Sequence, residues 1–140
     1  MKNKIRKIIV TLVVAVSMVT CFAMAAFANT PQPRWSHWAM LSGGIEIPSD
    51  NVAECTVFAD CSPAEADNIK VTCELQQYKS SWKTIKSWTE SDPDGTTLLM
   101  QKSYGIAKNY SYQLKVTAKA YKGTKLLETV TEYFSYGYYQ

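Results

Sequence analysis

The sequence predicts an all-β chain, an antiparallel seven-stranded β-sandwich behind a cleavable signal peptide, and three observations carry that expectation. Apolar and polar residues alternate over residues 55–61, 69–76 and 110–120, the period of a strand with one buried face. Turn-forming clusters punctuate the chain about every ten residues, the spacing of a sandwich. Fifteen aromatic side chains fall among the last 112 residues, which suits large cross-strand pairs. No convincing helical period occurs beyond the leader, and residues 63–67 suggest only one short helical turn.

The leader comes first. Lys2, Lys4, Arg6 and Lys7 make a positive segment, residues 8–19 are almost unbroken aliphatic, and Ala26-Phe27-Ala28 supplies the small-x-small pattern that a signal peptidase accepts. The expected cut follows Ala28. The apolar stretch is long enough to span a bilayer of about 30 Å, but its small-residue end and cleavage pattern favour removal. A lipid anchor on Cys21 is disfavoured by the bulk of Thr20 and the apolar run after it. The predicted organisation is a signal peptide at 1–28, a short segment at 29–37 and a β-domain at 38–140, secreted and without membrane attachment after cleavage.

The strands follow in order. Residues 38–47 form the first, with Gly43-Gly44 as a candidate bulge. Cys55, Val57, Ala59 and Cys61 share one face of the second; Ile69, Val71, Cys73 and Leu75 share one face of the third. Slipping either by one residue would send its apolar set to water, so register should be firm. Residues 82–88 follow the Lys79-Ser80-Ser81 turn, and period two puts Trp82 and Trp88 on one face with Ile85 opposite. Residues 96–104 follow Asp92-Pro93-Asp94-Gly95. Tyr110, Tyr112, Leu114, Val116, Ala118 and Ala120 mark the sixth strand, the clearest of all. Residues 125–134 follow the tight hairpin signal Lys122-Gly123.

Charge excludes one partner class. The whole chain carries +3, but four basic residues leave with the leader; the remaining eleven Lys/Arg against twelve Asp/Glu give −1. No basic excess remains to displace counterions from nucleic acid. Residues 29–78 carry −5 and residues 79–140 carry +4, a segregation that interleaving strands are expected to mix on the surface. A chain of this size buries about 65% of its unfolded surface and folds without obligatory staples.

Cys55, Cys61 and Cys73 remain after cleavage, and export permits a disulfide without requiring one. Cys55 and Cys61 lie too far apart along one strand to bond each other. Cys55–Cys73, Cys61–Cys73 and three free thiols stay open. The spacing lacks paired CxxC units, so no metal site or other cofactor is expected.

Tyr112-Gln113-Leu114-Lys115-Val116-Thr117-Ala118 resembles the sixth strand of fibronectin type III and immunoglobulin-like domains. That resemblance implies a tyrosine corner at Tyr112, with Tyr110 as the alternative, its ring in the core and its hydroxyl on upstream backbone. The immunoglobulin inter-sheet disulfide is missing; a Cys55–Cys73 bond would instead link the second and third strands. Pro33-Arg34-Trp35-Ser36, residues 75–88 and Tyr121-Lys122-Gly123 are similar to a group of small, uncharacterised secreted proteins of Gram-positive bacteria. This implies export and a compact β-domain, and carries no activity or site residues.

Catalytic candidates are few. His37 is the only histidine and lies between Trp35 and Trp38 near the expected new N-terminus, a placement that suits a surface or partly stacked side chain. Asp92 and Asp94 form the only close carboxylate pair beside a glycine, and Asp in a turn usually caps backbone amides. No nucleophile elbow, phosphate loop or HExxH occurs. The expectation is no enzyme. Trp82 and Trp88 beside Lys83 and Lys86, with Tyr136, Tyr138 and Tyr139 in the tail, are the candidate binding surface. Exposed aromatics offer flat apolar area with little rotamer entropy to lose. The expected function is a non-catalytic binding or adhesion module at the cell envelope or outside the cell, its partner a cell-wall polymer, a glycan or another protein. The alternative is a structural protein that self-associates through edge strands or a free cysteine.

Overall fold

The computed structural model describes Trp35–Gln140; the leader, its cut after Ala28, Cys21 and Pro33-Arg34 lie outside the described residues. Seven strands are present: β1 (Trp38–Ser49), β2 (Val52–Cys61), β3 (Asn68–Tyr78), β4 (Trp82–Asp92), β5 (Thr97–Gly105), β6 (Tyr110–Lys122) and β7 (Lys125–Tyr139). They form two antiparallel sheets, ordered β1-β2-β5 and β4-β3-β6-β7, and no helix occurs among the described residues. The single turn expected at 63–67 is one loop, in which the amides of Glu65 and Ala66 both donate to the Ser62 carbonyl.

The period-two alternation builds the core. Ala53, Cys55, Val57, Ala59 and Cys61 of β2 are buried, as are Ile69, Val71, Cys73 and Leu75 of β3 and Tyr112, Leu114, Val116, Ala118 and Ala120 of β6. Leu98 and Met100 of β5 and Trp38 and Leu41 of β1 join the same cluster, so the inner faces of both sheets share one core in a sandwich-like arrangement. Each Val, Leu or Ile fully buried there contributes about 1.5–3 kcal/mol. Turn chemistry closes the strands: Asn51 takes a left-handed conformation (φ 63°) between β1 and β2, which asparagine tolerates better than most residues. Between β6 and β7, Gly123 (φ 57°) donates its amide to both carboxylate oxygens of Asp67, at 2.9 and 3.0 Å.

Three local expectations are corrected. Gly43-Gly44 is not a bulge: Ser42, Gly43 and Gly44 pair in unbroken register with Phe58, Val57 and Thr56. Glycine is needed at position 43 because the Phe134 ring lies against it; a Cβ there would come within 2.6 Å of the ring. The register shifts of β1 fall at Trp38/Met40 and Glu46/Ser49, and β4 carries a bulge of its own, where Leu75 pairs with Lys86 and Gln76 with Thr84, leaving Ile85 as the extra residue. One added residue reverses the facing of everything beyond it, so Trp82 and Trp88 lie on opposite faces. Finally, the last residues are not a free tail. β7 continues to Tyr139 by pairing with the start of β6, across a register shift where Gly137 (φ 98°) opposes Tyr112 and Ser135 opposes Gln113.

Candidate functional site

Register between four strands turns the outer face of the larger sheet into transverse rows, about 4.8 Å between strands and about 7 Å between rows. One row is made of four threonines, Thr89, Thr72, Thr117 and Thr131, bonded in pairs through their hydroxyls at 3.0 and 3.2 Å. Two rows on, Thr84, Gln76, Gln113 and Ser135 form a polar ladder. Gln113 Nε2 donates to Gln76 Oε1 at 2.8 Å, Gln76 Nε2 to Thr84 Oγ1 at 3.3 Å, and the Thr84 hydroxyl to Glu74 Oε1 at 2.9 Å. Between these rows lie Glu74, Lys115 and Tyr133. Lys115 Nζ sits 2.7 Å from Glu74 Oε2 and, with the Thr84 hydroxyl, holds the Glu74 carboxyl below the usual range. The same contact raises Lys115.

Beyond the ladder the face becomes aromatic. Tyr78 pairs with Trp82, their rings 5.3 Å apart and edge-on at 64°. Ser111 pairs with Tyr138 one step past the Gln77–Tyr112 pair, which brings Tyr78 level with Ser111. Trp82 is 39% exposed, Tyr78 46% and Tyr138 57%. Tyr78 and Tyr138 therefore stand about 10 Å apart, two strand spacings, over a floor of Ser111 and Gln113. Tyr78 and Tyr138 thus flank Ser111 in one register row, with Gln113 next along β6: an aromatic slot set by strand pairing.

The other sequence candidates are placed elsewhere. Trp88 faces inward opposite Cys73, half-buried against the core and edge-on to Tyr104 at 6.4 Å. Tyr139 is buried; its hydroxyl accepts from the Asn51 amide at 2.9 Å, and Lys108 lies 5.6 Å above its ring. Neither belongs to the surface. Tyr136 is 40% exposed at the β7 irregularity. Tyr112 is fully buried, its hydroxyl donating to the Ala107 carbonyl at 2.6 Å and accepting from the Ala107 amide and Gln77 Nε2 at 3.1 and 2.7 Å. Tyr78, Gln76, Gln113 and Tyr133 were not among the candidates. The readable signal for Tyr78 was its position flanking the same turn as Trp82.

Cys55, Cys61 and Cys73 are buried free thiols. Burial raises Cys55 to about 11, and burial together with the neighbouring Cys55 and Glu74 raises Cys73 to about 12. His37 Nδ1 pairs with the Glu65 carboxylate, while the Cys61 thiol donates to the His37 carbonyl at 3.0 Å rather than to its ring. Glu128 receives the amides of Ser36 and His37, which pins this segment to β7. Asp92 Oδ1 accepts the Asp94 amide at 3.2 Å, so the carboxylate pair serves the turn.

The outer face of the smaller sheet differs in kind. Met40 is 51% and Leu99 59% exposed, with Phe58 between their strands. Its ionisable groups are Glu46, Glu54 and Asp60, and Glu46 stands directly opposite Glu54. On the larger sheet Lys70 stands directly opposite Lys119, flanked by Ser91 and Thr129. Among the described residues none of these four charges meets an opposite one. No protein-family model matches the chain, and no curated protein or solved structure matches it either.

Proposed function

We propose that the protein is a secreted, non-catalytic binding module, related in architecture to fibronectin type III and immunoglobulin-like domains, whose ligand is an extracellular glycan or cell-wall polymer. The observation that carries this reading is the slot on the larger sheet: three exposed aromatics, Trp82, Tyr78 and Tyr138, around Ser111 and Gln113. Pyranose rings stack on aromatic faces and offer their hydroxyls to amides, and this surface supplies both. Rigid aromatic anchors ordered in advance lower the entropy lost on binding. The leader, with its cut after Ala28, supports export to where such polymers occur.

The strand order and the Tyr112 hydroxyl support the architectural part. The adjacencies β1-β2-β5 in one sheet and β3-β6-β7 in the other are common to those sandwiches. The bond from a tyrosine near the start of the sixth strand to backbone five residues upstream matches their tyrosine corner. His37, the one histidine, is held by the Glu65 carboxylate on the surface, and the nearby Cys61 thiol is turned to its backbone carbonyl.

A binding screen over glycans and cell-wall polymers, run with wild-type protein and a Trp82→Ala/Tyr138→Ala variant, tests the reading. Binding to a polymer that falls at least about thirtyfold in the variant, the scale of a lost hot spot, is the expected result. A ligand that both proteins bind equally well would place the site elsewhere.

A further inference from the structure

We propose that copies of this protein stack on one another, the outer face of the smaller sheet of one seated on the lysine end of the larger sheet of the next. Like charges directly opposite on neighbouring strands destabilise a sheet, and this domain has two such pairs, one on each outer face. Glu46 faces Glu54 on one, Lys70 faces Lys119 on the other. Each pair lacks an opposite charge among the described residues, and each is what the other lacks. A second copy satisfies both at once.

The neighbouring rows agree with that seat. Four residues from Glu54 along β2 comes Phe58, paired with Leu99; four residues from Lys119 along β6 comes Lys115, paired with Tyr133, which is 57% exposed. Acidic pair on basic pair therefore brings apolar pair onto aromatic ring at the same spacing. The row of Tyr78, Ser111 and Tyr138 lies beyond the seat, because Ser111 is eight residues from Lys119 on β6, about 27 Å at strand rise.

Scale and symmetry follow. Three strands by six residues make a footprint of roughly 300 Å², well under the 800 Å² per partner of a stable complex. The contact is weak, and its strength comes from repetition. The two faces lie on opposite sides of the sandwich, so the contact is head-to-tail and generates open rows of copies instead of a closed dimer. The contact uses outward side chains and not the unpaired backbone of the edge strands, and the buried thiols take no part.

Sedimentation velocity on protein expressed as the full chain tests this with a charge exchange. At about 0.01 M salt the average mass of wild type rises with concentration, and at about 1 M salt it returns to the monomer. Glu46→Lys/Glu54→Lys alone and Lys70→Glu/Lys119→Glu alone stay monomeric, because each carries two like faces. Their equimolar mixture associates again, each reversed face meeting an opposite one on its neighbour. The milder Glu54→Gln and Lys119→Gln variants, which keep the fold with one charge removed, weaken association without restoring it when mixed. A wild type monomeric at low salt, association indifferent to salt, or a mixture that stays monomeric would overturn the proposal.

Discussion

The two outer faces of this domain rest on one core yet present different chemistry. The smaller sheet shows carboxylates around Met40, Phe58 and Leu99; the larger shows lysines, a threonine row, an amide ladder and an aromatic slot. Along β2, β3 and β6 most inward positions are small or branched apolar side chains in alternation, alike in the two sheets. Burial constrains those positions in the same way on both sides, whereas nothing in folding requires the outward ones to differ. The difference between the faces therefore points to what each meets outside the molecule.

Substitutions can break that comparison or sharpen it. The largest effect separates the two tryptophans. Trp88→Ala removes a ring packed against the core and costs about 3 kcal/mol of stability in a denaturant melt, the low end for a tryptophan because the ring is half-buried, while polymer binding per folded molecule stays unchanged. Trp82→Ala does the reverse, with little loss of stability and weakened binding. Equal behaviour of the two would place them on one face after all.

Next in size is Tyr112→Phe. The missing hydroxyl strands the Ala107 carbonyl and amide and Gln77 Nε2, at about 1–3 kcal/mol by chemical denaturation. Both outer faces keep their chemistry, so binding by the folded fraction and self-association should be unaltered.

A smaller effect belongs to one face alone. The Glu74 carboxyl is depressed by Lys115, so the pair's stabilisation, about 0.5 kcal/mol, is present above the ordinary carboxylate range and lost as pH falls through the depressed value. In Lys115→Met the Glu74 titration followed by NMR moves upward toward that ordinary range, and the stability of the variant falls less on acidification. An unmoved midpoint would remove Lys115 as the cause.

The smallest effect has the opposite sign. Glu54→Lys turns a repulsive cross-strand pair into an attractive one with Glu46 and should raise the midpoint of thermal unfolding by the equivalent of about 0.3 kcal/mol. If copies stack as proposed, that more stable variant loses association.

Strands were legible wherever alternation was strict. Residues 69–76 and 110–120 announced which side chains turn inward, because a strand has only two faces and water penalises the wrong one. Tyr112 was readable from its place near the start of that pattern. The tryptophans were misread because a bulge adds a residue without leaving a composition signal, and the Ile85 insertion reversed the phase between them. Gly43 was misread for a related reason: its partner Phe134 is ninety-one positions away, and no local pattern reveals a ring lying against a backbone. Tyr139 looked like free tail, since pairing partners for the last strand are set by the register of β6. The slot and the like-charge pairs arise only when four strands are laid side by side.

The Tyr112 oxygen ends three separate stretches of chain at one point: β3 through Gln77, the 106–109 segment through Ala107, and β6 through its own ring. That segment cannot swing open without abandoning a knot inside the protein, so its motion is tied to melting of the whole domain. The Ala107 amide should accordingly be among the slowest to trade its proton for deuterium, at a surface loop where fast exchange is the rule.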